Sequence, residues 1–247
     1  MKRIVIVGAS SGLGRAIAEY FASKGWRVGI AARRGESLAE LQGRYPNLIE
    51  YKVIDITDPM APSLLNELID ALGGMDVFLQ AAGVGKQNPD LTDEIERKTL
   101  LTNCVGFAAM VDTAFNYFKS HPGEYNQLCA ITSVAGTKGL GMAASYSASK
   151  RFDSTYLTAL EQLARLSGMK LSVTDIRPGF IATDLLNPAN HYPMLMTVNH
   201  AVPLIIKAIE NRRRVAVIDR RWWWLVQAWK LIPRFLWVRF PAKTKKE

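Results

Sequence analysis

Short runs of β-branched and other apolar residues alternate with longer stretches in which apolar and polar positions mix at helical spacing. Runs of the first kind suit buried strands and those of the second suit amphipathic helices, so the alternation predicts an α/β, doubly wound parallel sheet of about seven strands with helices on both faces. The predicted strands are residues 3–7, 27–31, 48–54, 76–80, 127–133, 170–176 and 214–218. The predicted helices include 13–23, 63–72, 94–118, 147–166 and 201–211. No Pro/Gly/Ser-rich linker interrupts the pattern, which reads as a single domain over residues 1–220 followed by an extension over 221–247.

Composition narrows the class. A chain of 247 residues, 49% hydrophobic and 21% charged, can bury a core without disulfides. It has no low-complexity tract and no solenoid repeat, which excludes disordered, collagen-like and repeat architectures. Cys104 and Cys129 lack metal-ligand spacing, as do His121, His191 and His200, so no metal site is expected and a reducing cytosol fits. Only four apolar residues separate Arg3 from Gly8, too few for a signal-peptide core, and the chain is expected to be cytoplasmic. The net charge of +9 lies wholly in the last 47 residues, which hold twelve Lys or Arg against three Asp or Glu, together with five of the six tryptophans. That localisation marks a special segment and not a general nucleic-acid-binding surface.

The first strand ends at Gly8-Ala9-Ser10-Ser11-Gly12-Leu13-Gly14, and a helical run follows at once. Residues without β-carbons permit a tight turn and close backbone approach, and the unpaired N–H groups of a helix start favour a pyrophosphate. The spacing is G-x-x-x-G-x-G and differs from G-x-G-x-x-G. The second strand ends at Arg33-Arg34 with no carboxylate. An acidic residue there binds the ribose of NAD but repels a 2′-phosphate, whereas a guanidinium can grip that phosphate, so NADP(H) is favoured over the alternative NAD(H).

Tyr146 and Lys150 stand four apart at the start of a predicted helix, hence on one face. Ser133 ends a predicted strand at the carboxyl edge, where open sheets bind ligands. A phenol ordinarily titrates near pH ~10, so acid/base work near neutrality asks for a cation beside it, and a lysine ammonium has the right sign.

In these motifs the chain resembles the single-domain branch of the short-chain dehydrogenase/reductases, over about residues 1–220. Gly8, Gly12 and Gly14 match that family's cofactor loop, flanked by Ser10, Ser11 and Leu13; Ser133, Tyr146 and Lys150 match its catalytic trio, and Asn103 its fourth member. The resemblance implies a Rossmann-like fold and hydride transfer between NADP(H) and a carbonyl or alcohol. By the same resemblance Tyr146 would protonate the carbonyl oxygen, Ser133 would orient it, and Lys150 would hold the nicotinamide ribose and favour the phenolate. Asn103 would bend its helix and position a relay water. Asp55 and Ile56 resemble the pair that meets adenine, and Pro178, Gly179, Ile181 and Thr183 the segment that cups nicotinamide. Ala81, Ala82 and Gly83 match the adenosine side, although Gln80 stands where the family has an asparagine. A homodimer or homotetramer is implied through the helices at 94–118 and 147–166.

Leucines and methionines between Phe180 and His200, where the family carries a mobile lid, suggest an apolar substrate. The tail from Arg220 to Phe240 is long enough to span a bilayer, but Lys230, Arg234 and Arg239 would cost about 2.5–3.5 kcal/mol each at a helix centre, and Pro233 breaks the run. Its aromatic and basic mixture suits a membrane surface, with packing on the chain's own lid or on a sister subunit as the alternatives. A nonenzymatic dinucleotide sensor or scaffold on the same fold is the alternative function, disfavoured by retention of all four catalytic positions. An epimerase or dehydratase of the longer branch would need a larger C-terminal substrate domain.

Overall fold

The computed structural model describes residues 1–187 and 189–239. The part of the predicted extension that follows residue 239 therefore lies outside the described residues. Seven strands, β1 (Arg3–Val7), β2 (Arg27–Ala32), β3 (Ile49–Val53), β4 (Val77–Gln80), β5 (Gln127–Ile131), β6 (Ser172–Arg177) and β7 (Val215–Val217), form one sheet in the order β3-β2-β1-β4-β5-β6-β7. Every pairing is parallel. Parallel neighbours require crossovers, and the helices α1 (Gly12–Ser23), α2 (Gly35–Arg44), α3 (Ala61–Ala71), α4 (Asp93–Leu100), α5 (Phe107–Ser120), α6 (Ala144–Leu166) and α7 (Val198–Glu210) supply them. Two further helices, α8 (Arg220–Leu231) and α9 (Arg234–Trp237), follow β7.

The inner strands β1, β2, β4 and β5 are buried on both faces because both faces are covered, whereas the edge strand β3 alternates buried Ile49 with exposed or half-exposed Glu50, Tyr51 and Lys52. Ile4 and Ile6 of β1 point into a core shared with Phe21 of α1, Leu38 and Leu41 of α2 and Ile205 of α7. Val5 and Val7 point the other way, into a core with Leu65 of α3, Phe107 and Val111 of α5 and Leu157 of α6. Each such side chain, fully withdrawn from water, contributes about 1.5–3 kcal/mol. Strand order reverses between β1 and β4, and in open α/β sheets that switch point opens a crevice at the carboxyl ends.

Three expectations shift. The strand predicted to reach residue 133 stops at Ile131, because the Ser133 hydroxyl accepts the Ala135 N–H at 3.1 Å and starts a 3₁₀ turn, Val134–Thr137. The helix expected over 94–118 is divided into α4 and α5 by a π-helical segment, Leu101–Gly106. The α2 helix, absent from the sequence reading, is charge-rich and buries only Leu38 and Leu41.

Candidate functional site

The loop after β1 is shaped by contacts that exclude side chains. Gly8 has φ +95°, and a Cβ there would collide with the Ala81–Ala82 backbone. Gly14 is set as tightly against the Gly8 carbonyl. Ser10, Ser11, Gly12 and Leu13 carry the chain from there into α1. Ser11 is the N-cap of α1 but makes no side-chain cap bond, which leaves the first helical N–H groups as an anion seat. Its hydroxyl is taken instead by Arg34, whose Nη2 donates to Ser11 Oγ at 2.6 Å and to Ser10 Oγ at 3.1 Å. Arg34 also lies 4.0 Å from Asp184. Arg33 is exposed beside it. Thr57, donating from its backbone N–H and then its hydroxyl, holds the Asp55 carboxyl below its ordinary range against the opposing effect of burial, and the charge of Arg33 adds to this. Ile56 packs on the π segment, where a Cβ at Gly106 would come within 2.7 Å of Ile56 Cγ1.

The segment after β6 closes over this loop. Thr183 Cγ2 would lie 3.3 Å from a Cβ at Gly12. The Pro178 carbonyl accepts the Val134 N–H at 3.0 Å and the Ser133 hydroxyl at 3.4 Å. Ile181 bridges Met196 in parallel fashion. Gly179 lies flat beneath Trp222, leaving no room for any side chain.

Ser133, after β5, and Tyr146 and Lys150, on α6, lie on neighbouring elements, since the 3₁₀ turn that Ser133 starts packs on α6. Tyr146 and Lys150 are one turn apart on α6, and Gly136, three residues after Ser133, abuts the Lys150 backbone, with 2.7 Å from a Cβ to the Lys150 carbonyl oxygen. The half-buried Tyr146 ring rests on Gly85, where a Cβ would come within 2.8 Å of Cδ2 and Cε2. Gly83 makes way for Lys150 Nζ and Asn103 Oδ1, each 3.4 Å from where its Cβ would be. Asn103 Oδ1 accepts the Val84 N–H at 2.9 Å, and its Nδ2 donates to the Val84 carbonyl at 2.8 Å and to Ser149 Oγ at 3.0 Å. Those bonds tie the end of β4, the π segment and α6 together. A π-bulge at such a point is a frequent mark of a functional site.

Lys150 is buried, and its Nζ donates to Asp153 Oδ2 at 2.9 Å and to the Ile131 carbonyl at 3.4 Å. Burial alone pushes the ammonium pKa down. The charge and hydrogen bond of Asp153, with Tyr146 nearby, outweigh it and raise the pKa above the ordinary lysine value. Sequence reasoning did not single out Asp153, although its i+3 spacing from Lys150 could have revealed it. Gly85 carried no sequence signal, whereas Trp222 packs on Phe180 and the Met194 carbonyl as one alternative reading of the tail expected. Gln80 is buried, and neither of its amide atoms has a hydrogen-bond partner among the described residues. A crevice of about 500 Å³ lined by Lys2, Trp26, Asp76, Tyr125, Gln127 and Arg212 lies at the amino ends of β1, β4 and β5, away from this cluster.

A family model described as short chain dehydrogenase matches residues 2–193. An uncharacterized oxidoreductase of Mycobacterium tuberculosis is 30% identical over 254 aligned positions, covering 99% of this chain and 96% of the relative. A short chain dehydrogenase from Burkholderia cenocepacia, solved in complex with NADP, superposes with a TM-score of 0.82 at 20% identity, covering 98% of this chain and 100% of that one. Another, from Burkholderia phymatum in complex with NAD, gives 0.80 at 20% identity and 92% coverage of each chain. At that identity the two structures speak to the fold.

Proposed function

The chain belongs to the short-chain dehydrogenase/reductase family of oxidoreductases, and from that premise we propose that it reduces the carbonyl group of an apolar small molecule, with NADP(H) as cofactor and Tyr146 as the acid. The observation that carries the reading is the buried Lys150 ammonium, placed one turn from Tyr146 and facing Gly83 at the carboxyl edge of the sheet.

The residues present fit a nicotinamide dinucleotide. Gly8 and Gly14 let the loop pack against the Ala81–Ala82 main chain and the Gly8 carbonyl, and the start of α1 offers N–H groups to a pyrophosphate. Arg34, braced on Ser10 and Ser11, and the adjacent Arg33 would hold a 2′-phosphate, and the absence of a carboxylate at the end of β2 supports NADP(H) over NAD(H). Asp55 and Ile56 would border adenine, Ala81, Ala82 and Gly83 the adenosine side, and Pro178, Gly179, Ile181 and Thr183 the nicotinamide.

Held by these residues, NADPH would supply the hydride for a carbonyl carbon. Tyr146 Oη gives its proton to the carbonyl oxygen, so the product is the alcohol. The Ser133 hydroxyl, whose 3.4 Å bond to the Pro178 carbonyl is long and readily exchanged, donates to that oxygen. The Lys150 ammonium favours the phenolate that remains, and Asn103 holds α6 against the end of β4. Exposed apolar residues on the π segment and α6, among them Leu101, Val105, Phe152 and Leu163, support assembly as a homodimer or homotetramer through those helices. The basic, aromatic tail is read as a membrane-surface contact and is argued below. A panel of apolar ketones and aldehydes, followed by loss of NADPH absorbance, tests the activity. Turnover of at least one member is expected; NADPH binding without turnover across the panel would favour the nonenzymatic dinucleotide-binding alternative.

A further inference from the structure

The tail is apolar on two sides, and the protein uses one of them. On α8 the inner positions Trp222, Val226 and Trp229 fall at i, i+4 and i+7, and they pack into the core shared with α1 and α7. Trp222 meets Phe180 edge-on at 5.6 Å, and its Nε1 donates to the Met194 carbonyl at 3.4 Å. The chain then folds back. Trp237 Nε1 donates to the Gly139 carbonyl at 2.8 Å, and Lys138 Nζ donates to the Ile232 carbonyl at 2.8 Å. These bonds fix the orientation of α8 and α9 against both the segment after β6 and the loop before α6.

The outer side faces solvent. Trp224 is 65% exposed and Leu231, one heptad on, 82%; Trp223, Phe235, Leu236 and Val238 are exposed with them. A helix face turned to water normally carries polar residues, and adjoining exposed aromatic and aliphatic side chains mark a contact surface. Arg220, Lys230, Arg234 and Arg239 accompany them, with Arg221 shared with Asp219. Residues 220–239 contain no Asp or Glu, and the sequence goes on to Lys243, Lys245 and Lys246 against Glu247 alone.

Charge decides the occupant. A second copy docked by the same face about a twofold axis would set cations against cations. No helix among the described residues is long and apolar enough to cross a membrane. The surface of an anionic bilayer accommodates both features: indoles settle at headgroup level, aliphatic and phenyl groups reach the acyl boundary, and guanidinium and ammonium groups meet lipid phosphate. We propose that the outer face of α8 and α9 seats this protein on the surface of an anionic lipid bilayer. The proposal stands on the tail and is independent of the catalytic reading.

The full-length protein is floated with phosphatidylcholine vesicles prepared with or without phosphatidylglycerol. Co-flotation with the anionic vesicles, weaker with pure phosphatidylcholine and reversed by salt, is the expected result. Two variants carry the test: Trp224→Ser/Leu231→Ser removes outward apolar groups, and Lys230→Glu/Arg234→Glu reverses outward charges. Each should lower vesicle affinity by about tenfold or more while leaving the melting temperature and NADPH binding unchanged. A wild-type protein that stays at the bottom of the gradient overturns the proposal, as do variants that float as well as wild type. A wild-type oligomer that falls apart in the Trp224→Ser/Leu231→Ser variant, without vesicle binding, would assign the face to a second copy instead.

Discussion

The Lys150 ammonium lies 2.9 Å from the Asp153 carboxylate, one turn along α6, and both side chains are withdrawn from solvent. Burial works against the charge of Lys150, and Asp153 more than offsets it, so the folded lysine titrates above its ordinary value. A lysine raised in this way stabilises the fold fully below its unfolded pKa of ~10.4, and that contribution is lost as pH rises through the folded value. In Asp153→Asn the largest opposition to burial is removed, leaving only the charges of Tyr146 and Cys104 to favour the ammonium. The alkaline limb of the kcat/KM profile should then move to lower pH, and the variant should lose about 3–5 kcal/mol of stability, as expected when one partner of a buried pair is removed. A lower melting temperature with an unchanged pH profile would reduce Asp153 to a packing role.

Cofactor choice follows from the two arginines after β2. Arg34 is braced by the hydroxyls of Ser10 and Ser11 at the start of α1. Replacing Arg33 or Arg34 by Asp places an anion where the 2′-phosphate would sit, and should weaken NADPH binding by about 10- to 100-fold while affecting NADH far less. Titration of cofactor fluorescence measures both constants; an unchanged ratio would refute the NADP(H) preference.

Gly179 and Trp222 test how the tail holds the segment after β6. A methyl at Gly179 would overlap the indole, so Gly179→Ala should cost about 1–3 kcal/mol through overpacking. Trp222→Ala, which empties a fully buried site, should cost about 3–5 kcal/mol. Combined, the two changes should be less damaging than their sum, because the clash vanishes with the indole. Denaturant melts of the four proteins measure the coupling, and strict additivity would mean the contact is unimportant.

The start of α8 is pinned by Asp219, whose backbone has φ +74° and whose carboxylate accepts the Arg221 N–H at 2.8 Å. Hydrogen bonding to Arg221, with His200 adding, holds its pKa down to about 2 despite partial burial. A carboxyl depressed on folding stabilises the native state above its unfolded pKa of ~3.9, and the contribution is lost as pH falls toward 2. Tryptophan emission should therefore report loosening of α8 between about pH 4 and 2. Asp219→Ala should show that loosening at neutral pH, with about 1 kcal/mol of lost capping.

The inner strands were legible because a doubly covered parallel strand must be apolar on both faces, and runs such as Ile4-Val5-Ile6-Val7 have few other uses; the edge strand β3, Ile49–Val53, was legible from its alternation of apolar and polar residues. Tyr146 and Lys150 were legible from helical spacing. What escaped depends on contacts distant in sequence. The resemblance placed a bend at Asn103, but not its π-helical form, in which Asn103 holds the Val84 main chain from nineteen residues away. The helical period of α8 was masked because Trp223, Trp224 and Leu231 are apolar on the outer side, so the inner set Trp222, Val226 and Trp229 did not stand out. In α2, two buried leucines among charged residues gave too weak a stripe.

The most direct test is Tyr146→Phe, which deletes one oxygen and leaves the ring on Gly85. With a carbonyl compound that the wild type reduces, and at matched NADPH occupancy, the account predicts a loss of NADPH-consuming turnover of about 10²- to 10⁴-fold with NADPH affinity retained. Turnover by the variant near the wild-type rate would contradict it.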